Sequence, residues 1–248
     1  KTKIISPEEK KVIAYHEAGH AAVSWLLEHA APLVKVTIVP RGRSLGAAWY
    51  LPEERQITTA EQMLDEMCAT MGGRAAEKVV FDKISTGALS DLEKVTKQAR
   101  AMVTVYGLND KLGNVTYYDS QGQNEYAMDK PYSQETAVVI DEEISKLIEA
   151  EYDRAIKVLS DNRDKLDQLA NILLEKEVIF KENVEDIFGK RPWDKEEATE
   201  IEAAVVEEAT EGKEAAEIEE TTVNEAAAAK KEATASEEAV ESKEVPEV

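Results

Sequence analysis

Cysteine is nearly absent. Cys68 stands alone among 248 residues, so no internal disulfide framework staples this fold, as is usual in reducing compartments. Positive charge is in deficit: 30 Lys and Arg face 51 Asp and Glu, a formal net charge of −21. A protein that tracks phosphates needs a basic stripe, so nucleic-acid binding is excluded on charge. No run of about 18 apolar residues occurs, so nothing in the chain reads as a membrane span. No GxxxxGK[ST] loop occurs either, which excludes a Walker-type nucleotide site. No secretory signal opens the chain, and a start at Lys1 rather than Met points to a piece of a longer protein.

Aromatic residues are few, at 6%, and they stop at Trp193. Beyond it, Asp194–Val248 holds 19 acidic residues and 5 lysines. That Glu/Ala-rich stretch cannot bury enough apolar area to offset its chain entropy. The expectation is a folded unit over 1–193 and a disordered, acidic low-complexity tail over 194–248. About 190 residues are enough to bury a sizeable core.

Within the folded unit the periodicity is mostly helical, with a small β-sheet near the N-terminus. Pro7–Glu28 reads as one helix, capped by Ser6 with Glu9 three residues on. Val12, His16, His20, Val23 and Leu27 form its apolar stripe. Val34–Val39 and Gly46–Leu51 read as two short strands joined by a basic turn. Ala60–Val80 is a helix interrupted by Gly72-Gly73, a pair that signals close approach of another backbone. Asp91–Tyr106 is a further helix, with Gly107 as its C-cap and Ser90–Glu93 as a capping box. Gly113–Tyr118 reads as a short strand or irregular hairpin. Ser133–Leu159 and Asp161–Lys176 form an antiparallel helical pair, and Asn183–Phe188 is a last short helix.

The residues that carry chemistry are His16-Glu17-Ala18-Gly19-His20. Side chains four apart on a helix face the same way, so two imidazoles at this spacing reach one metal ion. Zinc suits two neutral imidazoles and a carboxylate, with one position left for water, and Glu17 lies where it takes that water's proton. The bland reading is a pair of core histidines, but each would then need its own polar partner.

The third ligand is not decided by spacing. His29 fails, because nine residues past His20 place it on the opposite side of the helix and about 13 Å along the axis. The metzincin pattern needs a His at position 26, which is Leu26. Asp65, Glu66, Glu77 and Asp91 remain. Asp91 points inward with Val95 and Met102, although an Asp in a first helical turn also simply suits the helix dipole. Asp91 and Glu77 stand as alternatives.

The blocks VIAYHEAGHAAVSWLL, KVTIVPRG, SLGAAWYLPEE, MGGRAAE, STGALSDLEKVT and ARAMVTVYGLNDKLG, in that order, resemble the peptidase domain of the FtsH-type AAA+ zinc proteases. The likeness runs from about Val12 to Gly113 and more loosely to about Phe188. AAWYLPEE also resembles the mitochondrial inner-membrane relatives. The resemblance implies a zincin-like HExxH helix, a helical C-terminal part and a zinc peptidase domain over 1–193. It implies His16, His20 and Asp91 as ligands of one Zn2+ per chain, Glu17 as the general base, and Glu77 as a supporting residue near the site. Ser90 stands where the family more often has Asn.

The activity implied is a zinc endopeptidase, in which water activated by Glu17 attacks a peptide carbonyl. Substrates of such enzymes bind extended, so the strand opening at Leu45, Gly46 and Ala47 is the candidate substrate edge. The implied whole is a membrane-anchored, ATP-driven homo-hexamer that degrades unfolded or misassembled polypeptides. Its ATPase module and membrane anchor lie upstream, so ATP and the membrane belong to the full-length protein, and this domain sits on the cytoplasmic or mitochondrial matrix side. The rival reading is a catalytically silent assembly or adaptor-binding domain of the same ring.

Overall fold

The computed structural model describes residues 5–40, 46–51, 56–118 and 131–193. The expected tail over 194–248, the basic turn over 41–44 and Leu45 lie outside the described residues.

Helix α1 spans Pro7–Leu26. The Ser6 hydroxyl accepts the Glu9 N–H at 3.2 Å, and the Glu9 carboxylate accepts the Ser6 N–H at 2.9 Å. This reciprocal cap satisfies two donors that a helix start leaves orphaned. The periodicity predicts one inward stripe, but the structure buries every residue from Ala14 to Trp25. The physical reason is size. Ala14, Ala18, Gly19, Ala21 and Ala22 add so little bulk that neighbours close in on all sides, which makes α1 the central helix.

Its most extensive contact is with the next helix. Helix α2, Ala60–Phe81, starts at a Thr59–Gln62 capping box. It meets α1 where neither helix has a side chain: a Cβ on Gly72 would lie 2.7 Å from the Gly19 carbonyl oxygen, and one on Gly19 would lie 2.4 Å from that of Gly72. The Gly pair thus does mark a backbone-to-backbone crossing. A 3-10 turn, Thr86–Ala88, leads into α3, Leu89–Thr104. The expected Ser90 cap does not form. The N-cap position is Ala88, with no side-chain bond, and Ser85 caps the preceding turn instead. Gly107 has the left-handed φ of 63° that lets the chain leave α3.

The long helix α4, Gln134–Asp161, and its successor α5, Arg163–Lys176, complete the bundle. Leu166, Leu169 and Leu173 of α5 are fully buried, each stabilising by about 1.5–3 kcal/mol. Helix α6, Lys181–Phe188, ends at Gly189. Its Asn183 carboxamide oxygen accepts the Phe180 N–H.

Strands β1, Leu33–Thr37, and β2, Ala47–Tyr50, pair antiparallel with Val36 opposite Ala48. A third strand, β3, Val178–Phe180, pairs on the other side of β1, giving the order β2-β1-β3. No sequence pattern predicted β3, because three residues are too few to show a period. Gly113–Tyr118 corrects in the other direction: it holds no strand. The Asn109 side chain accepts the N–H groups of Lys111 and Leu112, which bends the chain into a turn. Tyr117 then makes one backbone bond to the end of α3.

Candidate metal centre

Buried polar side chains interrupt the apolar interior around α1, among them His16, Glu17, His20 and, from the first turn of α3, Asp91. The i, i+4 spacing places both imidazoles on one face. Their Nε2 atoms lie 3.1 Å apart. Asp91 Oδ2 lies 3.3 Å from His16 Nε2 and 3.4 Å from His20 Nε2.

The outer ring nitrogens fix the tautomers. His20 Nδ1–H donates to the Ala69 carbonyl at 3.0 Å, and His16 Nδ1–H donates to Glu77 Oε1 at 2.8 Å. In neutral imidazoles, both Nε2 lone pairs therefore face the same space as the Asp91 carboxylate. Three acceptors this close need a positive charge between them. A tetrahedral zinc with N and O bonds of about 2.0–2.1 Å sets its ligand atoms about 3.3 Å apart, which is the separation observed. A Cβ on Gly73 would come within 2.5 Å of both Nε2 atoms, so only glycine leaves room beside the donors. The residues fit a zinc ion. In the metal-free chain a proton fills part of that role. Burial pulls the His16 pKa down, but hydrogen bonds to Asp91 and Glu77 outweigh it and raise the value to about 9. Burial also opposes ionisation of Asp91, yet its bonds to the two histidines hold it well below the usual carboxylate range.

Glu17 lies beside this cluster. Burial pushes its pKa up, with His20 and His16 opposing. The backbone at Gly46, just before β2, closes over it: a Cβ there would sit 2.6 Å from Glu17 Oε1. Ala47 lies in β2 opposite Thr37. Leu45, the other strand candidate, is outside the described residues.

The remaining acids are engaged elsewhere. Asp65 accepts Arg154 at 2.6 Å and the His29 N–H at 3.0 Å, and Glu66 accepts Gln98. Asp91 and Glu77, the alternatives of the sequence, lie on opposite nitrogens of the same imidazole. Glu77 also accepts Ser85 twice, through its N–H at 2.6 Å and its hydroxyl at 3.0 Å. Burial opposes its charge, but these bonds and that to His16 lower its pKa. Sequence reasoning reads Gly73 only as half of the Gly72-Gly73 pair and gives Ser85 no role, and neither carries a local pattern that reveals its place at the site.

Residues 3–187 match the model of peptidase family M41. The chain belongs to peptidase family M41. It is 64% identical over 193 residues to an ATP-dependent zinc metalloprotease FtsH of Parabacteroides distasonis, covering 78% of this chain and 28% of that protein. It is 54% identical over 187 residues to the protein of the same description in Karelsulcia muelleri, covering 75% and 30%. It is 45% identical over 212 residues to the mitochondrial inner membrane m-AAA protease component AFG3L2 of Mus musculus, covering 86% and 25%. This M41 chain thus spans less than a third of the length of each of these relatives.

Proposed function

We propose that the chain is the zinc endopeptidase domain of a membrane-anchored, ATP-driven protease. One observation carries the reading: two imidazole lone pairs and the Asp91 carboxylate converge at 3.1–3.4 Å with both outer nitrogens tied down. His16, His20 and Asp91 hold one zinc ion. That ion supplies Lewis acidity, making water acidic near neutral pH and polarising a peptide carbonyl.

The protein's own residues do the rest. Glu17, with a carboxylate made more basic by burial, accepts a proton from the attacking water and passes it to the leaving amine. Glu77 and the Ala69 carbonyl hold the imidazoles in the tautomers that keep Nε2 unprotonated for the metal. Among the described residues β2 has β1 as its sheet partner and an open outer edge. An extended polypeptide adds there as a strand, its backbone bonds being indifferent to sequence. The Gly46 approach then sets its carbonyl near Glu17.

The wider context is inferred from the family. The relatives' names support ATP dependence and, for AFG3L2, an inner-membrane setting. No described helix is long and apolar enough to cross a membrane; in this proposal an anchor and a motor lie elsewhere in the longer protein. Homo-hexameric assembly, unfolded or misassembled substrates, and a cytoplasmic or matrix location are part of the same proposal.

A silent assembly domain could retain three ligands, but it has no use for a buried carboxylate beside them. Glu17→Gln tests this. The variant should keep one zinc per chain and the parent's melting curve, and lose at least about a hundredfold in cleavage of an unfolded polypeptide. Undiminished cleavage would remove Glu17 from the mechanism.

A further inference from the structure

Ser85 is neither a ligand nor in contact with one, yet it grips the residue that orients His16. Its N–H donates to Glu77 Oε2 at 2.6 Å, and its hydroxyl donates to Glu77 Oε1 at 3.0 Å. Both carboxylate oxygens are thus held by one residue, which fixes the plane of the carboxylate. Oε1 is also the atom that accepts His16 Nδ1–H at 2.8 Å. The same Ser85 hydroxyl accepts the Gly87 N–H at 3.1 Å, capping the 3-10 turn that runs straight into α3 and Asp91. Asp82, at a left-handed φ of 52°, ends α2 and turns the chain back so that Ser85 meets Glu77.

We propose that Ser85 is a positioning residue for the metal centre, joining the orientation of His16 on α1 to the placement of Asp91 on α3 through a single hydroxyl. The proposal rests on the zinc-site reading. One proton serves the link: Ser85 Oγ–H points to Glu77, which leaves the oxygen's lone pairs for Gly87. Alanine at 85 removes both hydroxyl bonds. The backbone N–H still holds Oε2, but Oε1 keeps only its bond from His16 and the turn before Asp91 loses its cap, so the carboxylate that orients His16 is held less firmly. Residues that orient metal-binding histidines typically change metal affinity by about 10–100-fold when removed.

Threonine should do what serine does. Ser85 is exposed and sits in extended backbone at φ −116° and ψ 177°, where a β-branched residue is comfortable and its methyl group has room. Ser133 provides the matched control. It caps α4 by accepting the Thr136 N–H at 3.2 Å, and it takes no part in the metal cluster.

The test measures zinc affinity of the full 248-residue chain by competition with a chromophoric chelator, alongside melting of the metal-free chain. Ser85→Ala should bind zinc several-fold more weakly, less than the about 10–100-fold of a histidine's direct partner, Ser85→Thr should bind as the parent does, and Ser133→Ala should melt lower but bind zinc unchanged. Parent-like affinity in Ser85→Ala overturns the proposal. So does equal weakening in Ser133→Ala, which would trace the loss to general destabilisation. A folded parent that takes up no zinc overturns the metal-site reading, and the Ser85 link with it; Asp91→Ala binding as tightly as the parent would do the same for the ligand set.

Discussion

The Gly19–Gly72 crossing yields a prediction in which two effects of known size oppose each other. Gly72→Ala places a methyl group inside α2, where local helix propensity alone favours Ala by about 1 kcal/mol. The new Cβ would lie 2.7 Å from the Gly19 oxygen, 3.0 Å from its carbonyl carbon and 3.1 Å from the His20 Cα. All three are backbone atoms of α1, so no side-chain rotation relieves the contact. The helices must separate by about half an ångström, within an interior packed as densely as a crystal. Overpacking of this kind costs about 1–3 kcal/mol or more, and a backbone obstacle belongs at the upper end. The net loss is about 2 kcal/mol, or a fall in melting temperature of about 4–8 °C for a unit of this size. Circular dichroism melting of the chelated chain reads it without interference from metal. A melting temperature equal to or above the parent's would refute the reasoning, because propensity would then have won and the crossing would not be tight. Because the Ala69 carbonyl and Glu77 ride on α2, the same separation should weaken zinc binding as well.

Two further outcomes follow from other parts of the structure. In the metal-free chain His16 has a folded pKa of about 9, above its ordinary value of about 6.5, so its contribution to stability is complete below pH 6.5 and fades as pH rises through 9. Zinc competes with the same proton and gains affinity over that window; melting of the chelated chain and zinc titration at the two ends should show opposite slopes, and parallel slopes would contradict the site. Arg191 donates to the carbonyls of Leu27, Glu28 and Ala30, just past the end of α1. Arg191→Ala leaves buried acceptors unpaired at about 1–3 kcal/mol apiece and should lower the melting temperature by at least about 4 °C, whereas an unchanged value would show that water replaces the guanidinium.

What the sequence makes legible depends on how local the cause is. The Ser6–Glu9 cap and the approach of His16 to His20 both arise within a turn of helix, and both can be read from spacing. Asp91 and Glu77 could be narrowed to a pair but not assigned, because their roles depend on which nitrogen of a distant imidazole each one meets. The Ser90 cap was misjudged for a related reason. Ser90–Glu93 has the right local form, but Ser85 is tied to Glu77 across the chain reversal, and that tie starts the turn early enough to carry position 90 inside the helix. Strand β3 exists only because β1 offers it an edge. Gly73 is open to the imidazoles only because α2 crosses α1 one residue earlier.

The burial of α1 on every side also has a consequence for the order of events on the ribosome. His16, Glu17, His20, Glu77 and Asp91 all precede α5 in the chain. The α5 face that covers α1, with Leu166, Leu169 and Leu173, comes some 75 residues after Asp91. Trp25 waits longer still for the Gly189 carbonyl that its indole N–H meets. The nascent chain therefore carries every donor of the centre before it has the walls that immobilise them. Rigid geometry at the centre thus waits until the last helices have docked on α1.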